Sequence, residues 1–236
     1  MKKLYFFALA AFVAMMGLTA CGDDNDQLTD SRLTHYVVLE LQGNSTEEVI
    51  LGSSYTDAGC KGTLDGVDVS SQIKVDGLDE IDVNTPGLYY ITYTATNADG
   101  FPSSVTRTVA VFDPTVTADI SGKYLTQEGT YLDTGSRKIA LVGYKVNIKK
   151  VVPGVFSIDE MLAGMWSQRA GYGANYGMHG YLQLTPDNTI HIISGEVPGW
   201  GDTYDEIEDG AWNPETGEIT YGMVYAGYYF NVVLNK

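Results

Sequence analysis

Leu88-Tyr89-Tyr90-Ile91-Thr92-Tyr93-Thr94-Ala95 alternates residue by residue. Tyr89, Ile91, Tyr93 and Ala95 fall on one face and mostly Thr on the other, the two-residue period of a half-buried β-strand. Downstream, Val105, Val109 and Val111 repeat the period, with Arg107 interrupting it. Turn clusters at Asp65-Gly66, Asp76-Gly77, Asn84-Thr85-Pro86-Gly87 and Asn97-Ala98-Asp99-Gly100 punctuate the strands at short intervals. Short strands and frequent turns predict a sandwich.

Beyond this region Asp113-Pro114 marks a boundary, because proline cannot continue a hydrogen-bonded ladder. The stretch from Thr115 to Lys236 holds all three Trp and is again strand-rich. Val142, Tyr144, Val146 and Ile148 share one face, opposite Lys145, Asn147 and Lys149. Ile139 and Leu141 lie on the other phase, so the pattern predicts a bulge near Gly143. Leu182 and Leu184, the turn Pro186-Asp187-Asn188, then Ile190 and Ile192 predict a hairpin. Asn213-Pro214-Glu215-Thr216-Gly217 joins another, and a closing strand runs from Tyr228 to Leu234. One exception is Ser157-Ile158-Asp159-Glu160, a capping box followed by Met161, Leu162, Met165 and Trp166 at helical spacing. It predicts a short helix from Ile158 to about Arg169, ended by Gly171.

Three blocks in the first half, Gly52-x-x-Tyr55-Thr56-Asp57-Ala58-Gly59, Thr85-Pro86-Gly87-x-Tyr89-x-Ile91-x-Tyr93-x-Ala95 and Val105-x-Arg107-x-Val109-x-Val111, resemble a bacterial immunoglobulin-like domain common on surface proteins. The chain departs from that pattern at Ala58, where proline is usual, and at Gly100-Phe101, where the family has Gly-Asn. In the second half, Gly122-Lys123-Tyr124, the run Val152 to Asp159, Gly210-Ala211-Trp212-Asn213 and Thr216-Gly217-Glu218-Ile219 complete a resemblance to a surface lipoprotein family of Bacteroidota. That family pairs an immunoglobulin-like domain with a C-terminal β domain. The expected fold is therefore all-β: an N-terminal immunoglobulin-like β-sandwich over 32–113, then an antiparallel β-sandwich or barrel-like domain over 115–236. The resemblance implies a spacer or presentation module followed by a domain that contacts carbohydrate, since such families accompany polysaccharide uptake.

The N-terminus carries an address. Lys2 and Lys3 precede an uncharged apolar stretch from Leu4 to Leu18, a secretory signal layout over 1–20 that is shorter than the roughly 20 residues needed to span a bilayer. Leu18-Thr19-Ala20-Cys21 resembles the bacterial lipobox, which implies diacylglyceryl modification at Cys21. Several acyl chains on one N-terminus anchor a protein firmly to a membrane. Residues 21–31 form an acidic tether, and Gly22-Asp23-Asp24-Asn25-Asp26 resembles the export signal that carries Bacteroidota lipoproteins to the outer face of the outer membrane. A solvated charged tether accounts for the same residues. Cys60 is then the last thiol, so no intramolecular disulfide forms, and it reads as a buried structural cysteine.

Charge excludes further classes. The chain has 14 Lys and Arg against 30 Asp and Glu, and without Lys2 and Lys3 the count is 12 against 30. Nucleic acid and anionic membrane surfaces attract the opposite sign, so no nucleic-acid partner is expected. An aromatic content of 11% argues against a disordered chain.

Two loops concentrate aromatic and polar groups among glycines. Gly171-Tyr172-Gly173-Ala174-Asn175-Tyr176-Gly177 has the spacing G-x-G-x-x-x-G and no surrounding βαβ unit, so it is not a dinucleotide site. Pro198-Gly199-Trp200-Gly201-Asp202-Thr203-Tyr204-Asp205 places a Trp between two glycines. The expected glycan-binding set is Trp200, Tyr172 and Tyr176 as platforms for sugar rings, with Asp202 and Asn175 as polar partners. Core packing is the competing role for Trp200 and the expected one for Trp212. Eight acids and no base lie between Glu196 and Glu218, to be neutralised across neighbouring strands by Arg137, Lys138, Lys145, Lys149 and Lys150. Asp202, Asp205, Glu208 and Asp209 also suit Ca²⁺, although their spacing matches no EF-hand and a solvated acidic loop explains them as well. No nucleophile elbow or metal-ligand spacing is present among His35, His179 and His191, so the expected protein is not an enzyme. It is a lipid-anchored outer-membrane protein facing outward and holding polysaccharide for an uptake system. The alternative is a structural or assembly lipoprotein docking onto an outer-membrane transporter or another surface lipoprotein.

Overall fold

The computed structural model describes residues 34–236. The expected signal peptide over 1–20, the expected lipidation site at Cys21 and the expected tether over 21–31 lie outside the described residues. Residues 38–112 form seven strands: β1 (Val38–Leu41), β2 (Thr46–Ile50), β3 (Cys60–Leu64), β4 (Val67–Asp68), β5 (Lys74–Asp76), β6 (Gly87–Thr96) and β7 (Pro102–Phe112). They make two sheets, in the orders β1-β3-β4 and β2-β7-β6-β5. Every pairing is antiparallel except β2 with β7, which runs parallel from Thr46↔Thr108 to Ile50↔Phe112. The alternating stretch that predicts a strand lies in β6, and its apolar phase is the inward one: Ile91 and Tyr93 are buried with Val49, Val109 and Val111, and Ala95 is buried with Val37 and Val69.

Arg107 belongs to that inward phase, and its interruption of the pattern has a structural cause. The side chain is fully buried; its guanidinium donates to Asp57 Oδ1 at 2.6 Å and to the carbonyls of Gln42 at 2.5 Å and Gly59 at 3.0 Å. Asp57 also accepts from the Tyr93 hydroxyl at 2.6 Å, the Tyr55 hydroxyl at 3.2 Å and the Gly59 N–H at 3.0 Å. The separate blocks of the immunoglobulin-like pattern thus meet in space around one buried ion pair. Cys60 is only partly buried; it packs against this core, and burial pushes its thiol up.

The second region carries β8 (Gly122–Thr126), β9 (Tyr131–Asp133), β10 (Lys138–Ala140), β11 (Lys145–Val152), β12 (Val155–Ile158), β13 (His179–Leu184), β14 (Thr189–Glu196), β15 (Glu206–Trp212), β16 (Ile219–Tyr225) and β17 (Tyr228–Asn235). Consecutive antiparallel pairing runs from β11 to β17, and β8 bonds both β11 and β17, which closes an eight-stranded barrel. β9 pairs the other half of the same β17 edge and carries β10 outside the ring. Eight strands leave an interior that side chains can fill. Here they fill it: Val146, Phe156, Leu182, Ile190, Met223 and Phe230 are all fully buried in one continuous core. Trp212 is partly buried against that core, as its expected role requires.

Three local expectations are corrected. The capping box does not start a helix: Ser157 and Ile158 belong to β12, whose register pairs Ser157 with Lys149 and with Tyr181. Ala163 and Gly164 then adopt positive φ of 53° and 73°, outside the helical region, and only a five-residue π turn forms at Met165–Arg169. Barrel closure outweighs the local cap. The second correction concerns Gly143, which lies in a loop between β10 and β11 at φ 85° rather than in a bulge; Val142 is exposed, and β11 bulges instead between Lys150 and Val152. Third, among the described residues no ion pair joins the acidic segment from Glu196 to Glu218 to Arg137, Lys138, Lys145, Lys149 or Lys150. Its strand β15 pairs with β14 and β16, away from β11, and Asp209 meets the His191 ring in a hydrogen bond of 2.5 Å. Lys138 instead sits 3.9 Å over the Tyr131 ring.

Val37–Lys236 form one compact unit. Leu88, Ala110 and Phe112, on the outer face of the β6–β7 sheet, pack with Val151, Val152, Val155 and Ile193 on the outer face of the barrel. Ala110 and Val155 are completely buried there. The sandwich and the barrel thus share an apolar junction.

Candidate functional site

The segment between β12 and β13 closes one end of the barrel and presents aromatic rings outside it. Met161, Leu162 and Met178 are fully buried, and Tyr221, rising from the barrel wall, donates its hydroxyl to the Met161 carbonyl at 3.0 Å. From this plug the chain emerges through Trp166 and Tyr172 to a single 3₁₀ turn at Ala174–Tyr176. The opposing loop hangs from the buried Val197, whose carbonyl accepts the N–H groups of Trp200 and Gly201. The loops are joined by the Gly199 N–H, which donates to the Asn175 carbonyl at 2.7 Å. A Cβ at position 199 would lie 2.7 Å from the Tyr176 ring, so glycine there is what lets the ring and the backbone close up.

The result is a ring of aromatic side chains around Trp200. Tyr176 lies 5.0 Å from it, Trp166 5.8 Å and Tyr172 6.2 Å, all edge-on, and Tyr225 lies 6.5 Å away nearly parallel. These are favourable aromatic geometries, which hold the indole in place. Trp200 nevertheless keeps 44% of its surface exposed, and Tyr172 keeps 56%. Asp202 accepts the Tyr225 hydroxyl at 2.9 Å; burial, then this bond, push that phenol well up. The structure therefore gathers Trp200, Tyr172, Tyr176, Asp202 and Asn175 into one neighbourhood. Two details differ from expectation. Asn175 bonds the Trp200 loop through its carbonyl, while one Asp202 oxygen is already committed to Tyr225.

A cleft of about 1000 Å³ opens beside this patch and shares Asp202 and the 198–203 loop with it. Its floor is the outer face of β11 to β14, which sequence reading did not single out as a site. Asn147 is fixed there by Asp159, which accepts both its backbone N–H at 2.7 Å and its amide at 2.6 Å. His179 is oriented by the Ala174 carbonyl at 3.2 Å. The sequence signal was Tyr181 on the outward phase beside the inward Leu182 and Leu184, but the four strands meet only in the fold.

Behind the patch lies a buried acid. Glu160 accepts the Ser167 hydroxyl through Oε2, whereas its Oε1 is buried with no hydrogen-bond partner. Burial pushes this carboxyl up to about 7, against the lowering effect of the bonds from Ser167 and the Gly164 backbone.

The candidate Ca²⁺ ligands do not converge. Asp205 accepts the Gly227 N–H, Glu208 the Tyr229 hydroxyl and Asp209 pairs with His191. Among the described residues no three His, Cys, Asp or Glu side chains group to hold a metal ion.

Two fused β units, one of them an immunoglobulin-like sandwich of the bacterial surface type, define a bacterial surface protein. The family model for the bacterial surface protein Ig-like domain matches residues 39–111, and a C-terminal domain model matches residues 113–236, more than half of the chain. The chain belongs to the family that this C-terminal domain defines. The lipoprotein BT2262 from Bacteroides thetaiotaomicron is 36% identical over 85% of this chain and 100% of its own, with a TM-score of 0.48; identity and coverage carry that relationship. Two structures from Clostridium perfringens ZmpB are far more remote. One, of the M60 catalytic domain with CBM51-1 and CBM51-2, is 12% identical over 53% of this chain and 14% of its own, at a TM-score of 0.28. The other, of CBM51-2 in complex with GlcNAc and INT domains, is 14% identical over 52% and 28%, at 0.27. At these values neither likeness bears on this chain's function. No curated protein matches.

Proposed function

We propose that this protein is a non-catalytic, lipid-anchored lipoprotein of the outer membrane that holds extracellular polysaccharide at the Trp200 patch. One observation carries the reading: an indole fixed by four neighbouring rings yet 44% exposed, beside a large cleft whose lining includes Gly201 and Asp202 of the same loop. Fixed aromatic platforms suit sugar rings, because the polarised C–H groups of a pyranose meet the negative π face and little side-chain entropy is lost on binding. The barrel itself offers no lumen for a ligand, since its interior is filled. Surface anchoring makes modest affinity sufficient, as many tethered copies engage one polymer.

Trp200→Ala is expected to weaken retention on the bound polysaccharide at least ten-fold, about 1.4 kcal/mol, with a lowered melting temperature from the lost ring contacts but a cooperative fold retained. Affinity electrophoresis through polysaccharide gels, with thermal melts in parallel, measures both. Unchanged retention would remove the patch from the site. Release of soluble sugars from the polymer would overturn the non-catalytic part of the reading. The anchor is tested separately: Cys21→Ser should move the protein from the membrane pellet to the soluble fraction, and a protein that stays in the pellet would exclude anchoring through Cys21.

A further inference from the structure

Resting on the glycan reading, the geometry points to a binding site shared by both domains, in which Tyr90 of the sandwich forms one wall of the cleft and the ligand is a neutral glycan. The floor is regular. Lys149 pairs with Ser157, Ser157 with Tyr181 and Tyr181 with Ser194, so these outward side chains form one row across four strands. Strands spaced about 4.8 Å apart make that row roughly 14 Å long, the scale of a short oligosaccharide segment rather than one ring. Two residues along, His179 pairs with Glu196 beside the fixed Asn147, adding a parallel polar row.

The wall opposite comes from the other domain. Tyr90 follows Leu88 by two residues on β6 and therefore shares its outer face. Leu88 is packed into the apolar junction, while Tyr90 continues past it into the cleft with 45% of its surface exposed. Burial and the facing Tyr181 phenol both push the Tyr90 hydroxyl up, as expected for two phenols across one cleft. Because the junction fixes the sandwich against the barrel, this ring is presented at a set position rather than on a free spacer.

Charge selects the ligand class. Asp159, Glu196 and Asp202 face the cleft against Lys149, within a chain of 30 acids and 14 bases. Uronates and sulfated polymers would meet like charge there, whereas neutral hydroxyls can pair with carboxylate, amide and hydroxyl groups.

The test is affinity electrophoresis of the chain from Gly22 to Lys236, which keeps every described residue, in gels of galactomannan, xyloglucan, β-glucan and mannan beside polygalacturonate, alginate and chondroitin sulfate. Wild type, Tyr90→Ala, Tyr90→Phe, Tyr181→Ala and Trp200→Ala are compared at low and high salt, with melts as the folding control. The expected result is retardation by a neutral polymer with little salt dependence, reduced at least five-fold by Tyr90→Ala and by Tyr181→Ala and largely retained in Tyr90→Phe. Loss of binding in Trp200→Ala with Tyr90→Ala and Tyr181→Ala unaffected would keep the aromatic patch and overturn the two-domain cleft. Preference for an anionic polymer, abolished by salt, would overturn the neutral class. Free migration of the wild type through every gel would remove the glycan reading itself and this inference with it.

Discussion

Asp57→Ala is expected to destabilise the sandwich by about 3 to 5 kcal/mol, a large share of the stability of an ordinary domain. The carboxylate satisfies Arg107, Tyr93, Tyr55 and the Gly59 N–H together. Its removal leaves a fully buried guanidinium without its counter-ion. A buried pair is not in itself more stabilising than well-packed apolar groups, because both charges lose hydration. The cost arises when one partner remains alone. The double variant Asp57→Ala with Arg107→Met should therefore recover part of the loss. Denaturant unfolding measures both, and a double variant as unstable as the sum of the two singles would show that the charges do not act as a pair.

Glu160 gives the second large effect, and its sign follows from the direction of its displacement. In the unfolded chain the carboxyl ionises near 4.5, in the fold near 7. Below about pH 4.5 it is protonated in both states and its contribution is fully present. Between 4.5 and 7 only the unfolded chain releases the proton, so stability is progressively lost. Above 7 the loss is complete, at roughly 3 kcal/mol. Glu160→Gln removes this titration while keeping an acceptor for Ser167. The difference in stability, variant minus wild type, should grow from pH 5 to pH 8. Parallel curves over that range would mean that Glu160 ionises normally. Since the same segment carries Trp166, Tyr172 and Tyr176, the wild type should also hold its aromatic patch more firmly at the acidic end of this window.

The sandwich was legible because its signals are local. The period of Leu88 to Ala95 needs no partner to be read, and Asp57 and Arg107 stand inside motif blocks, although nothing in a linear sequence says that they touch. The Trp200 and Tyr172 loops were legible for a related reason: glycines beside aromatic residues leave few local packing partners. The cleft was not. Lys149, Ser157, Tyr181 and Ser194 are ordinary outward strand positions whose meeting depends on barrel register, and Tyr90 reaches them only through the docking of one sheet on another. The helix expected after Ser157 failed because a cap is worth about 1 kcal/mol, whereas β12 supplies two ladders of the closed barrel.

The parallel pairing of β2 with β7 has a mechanical meaning. Traction on the chain ahead of β2, opposed by a load on the barrel beyond β7, pulls these neighbours in opposite directions along their length. The ladder from Thr46↔Thr108 to Ile50↔Phe112 is then sheared, with its bonds stressed together, rather than peeled open one at a time. On the proposed function, with the chain moored at one end and a polymer held at the other, drag from the surrounding flow would load this ladder in the geometry best suited to resist it.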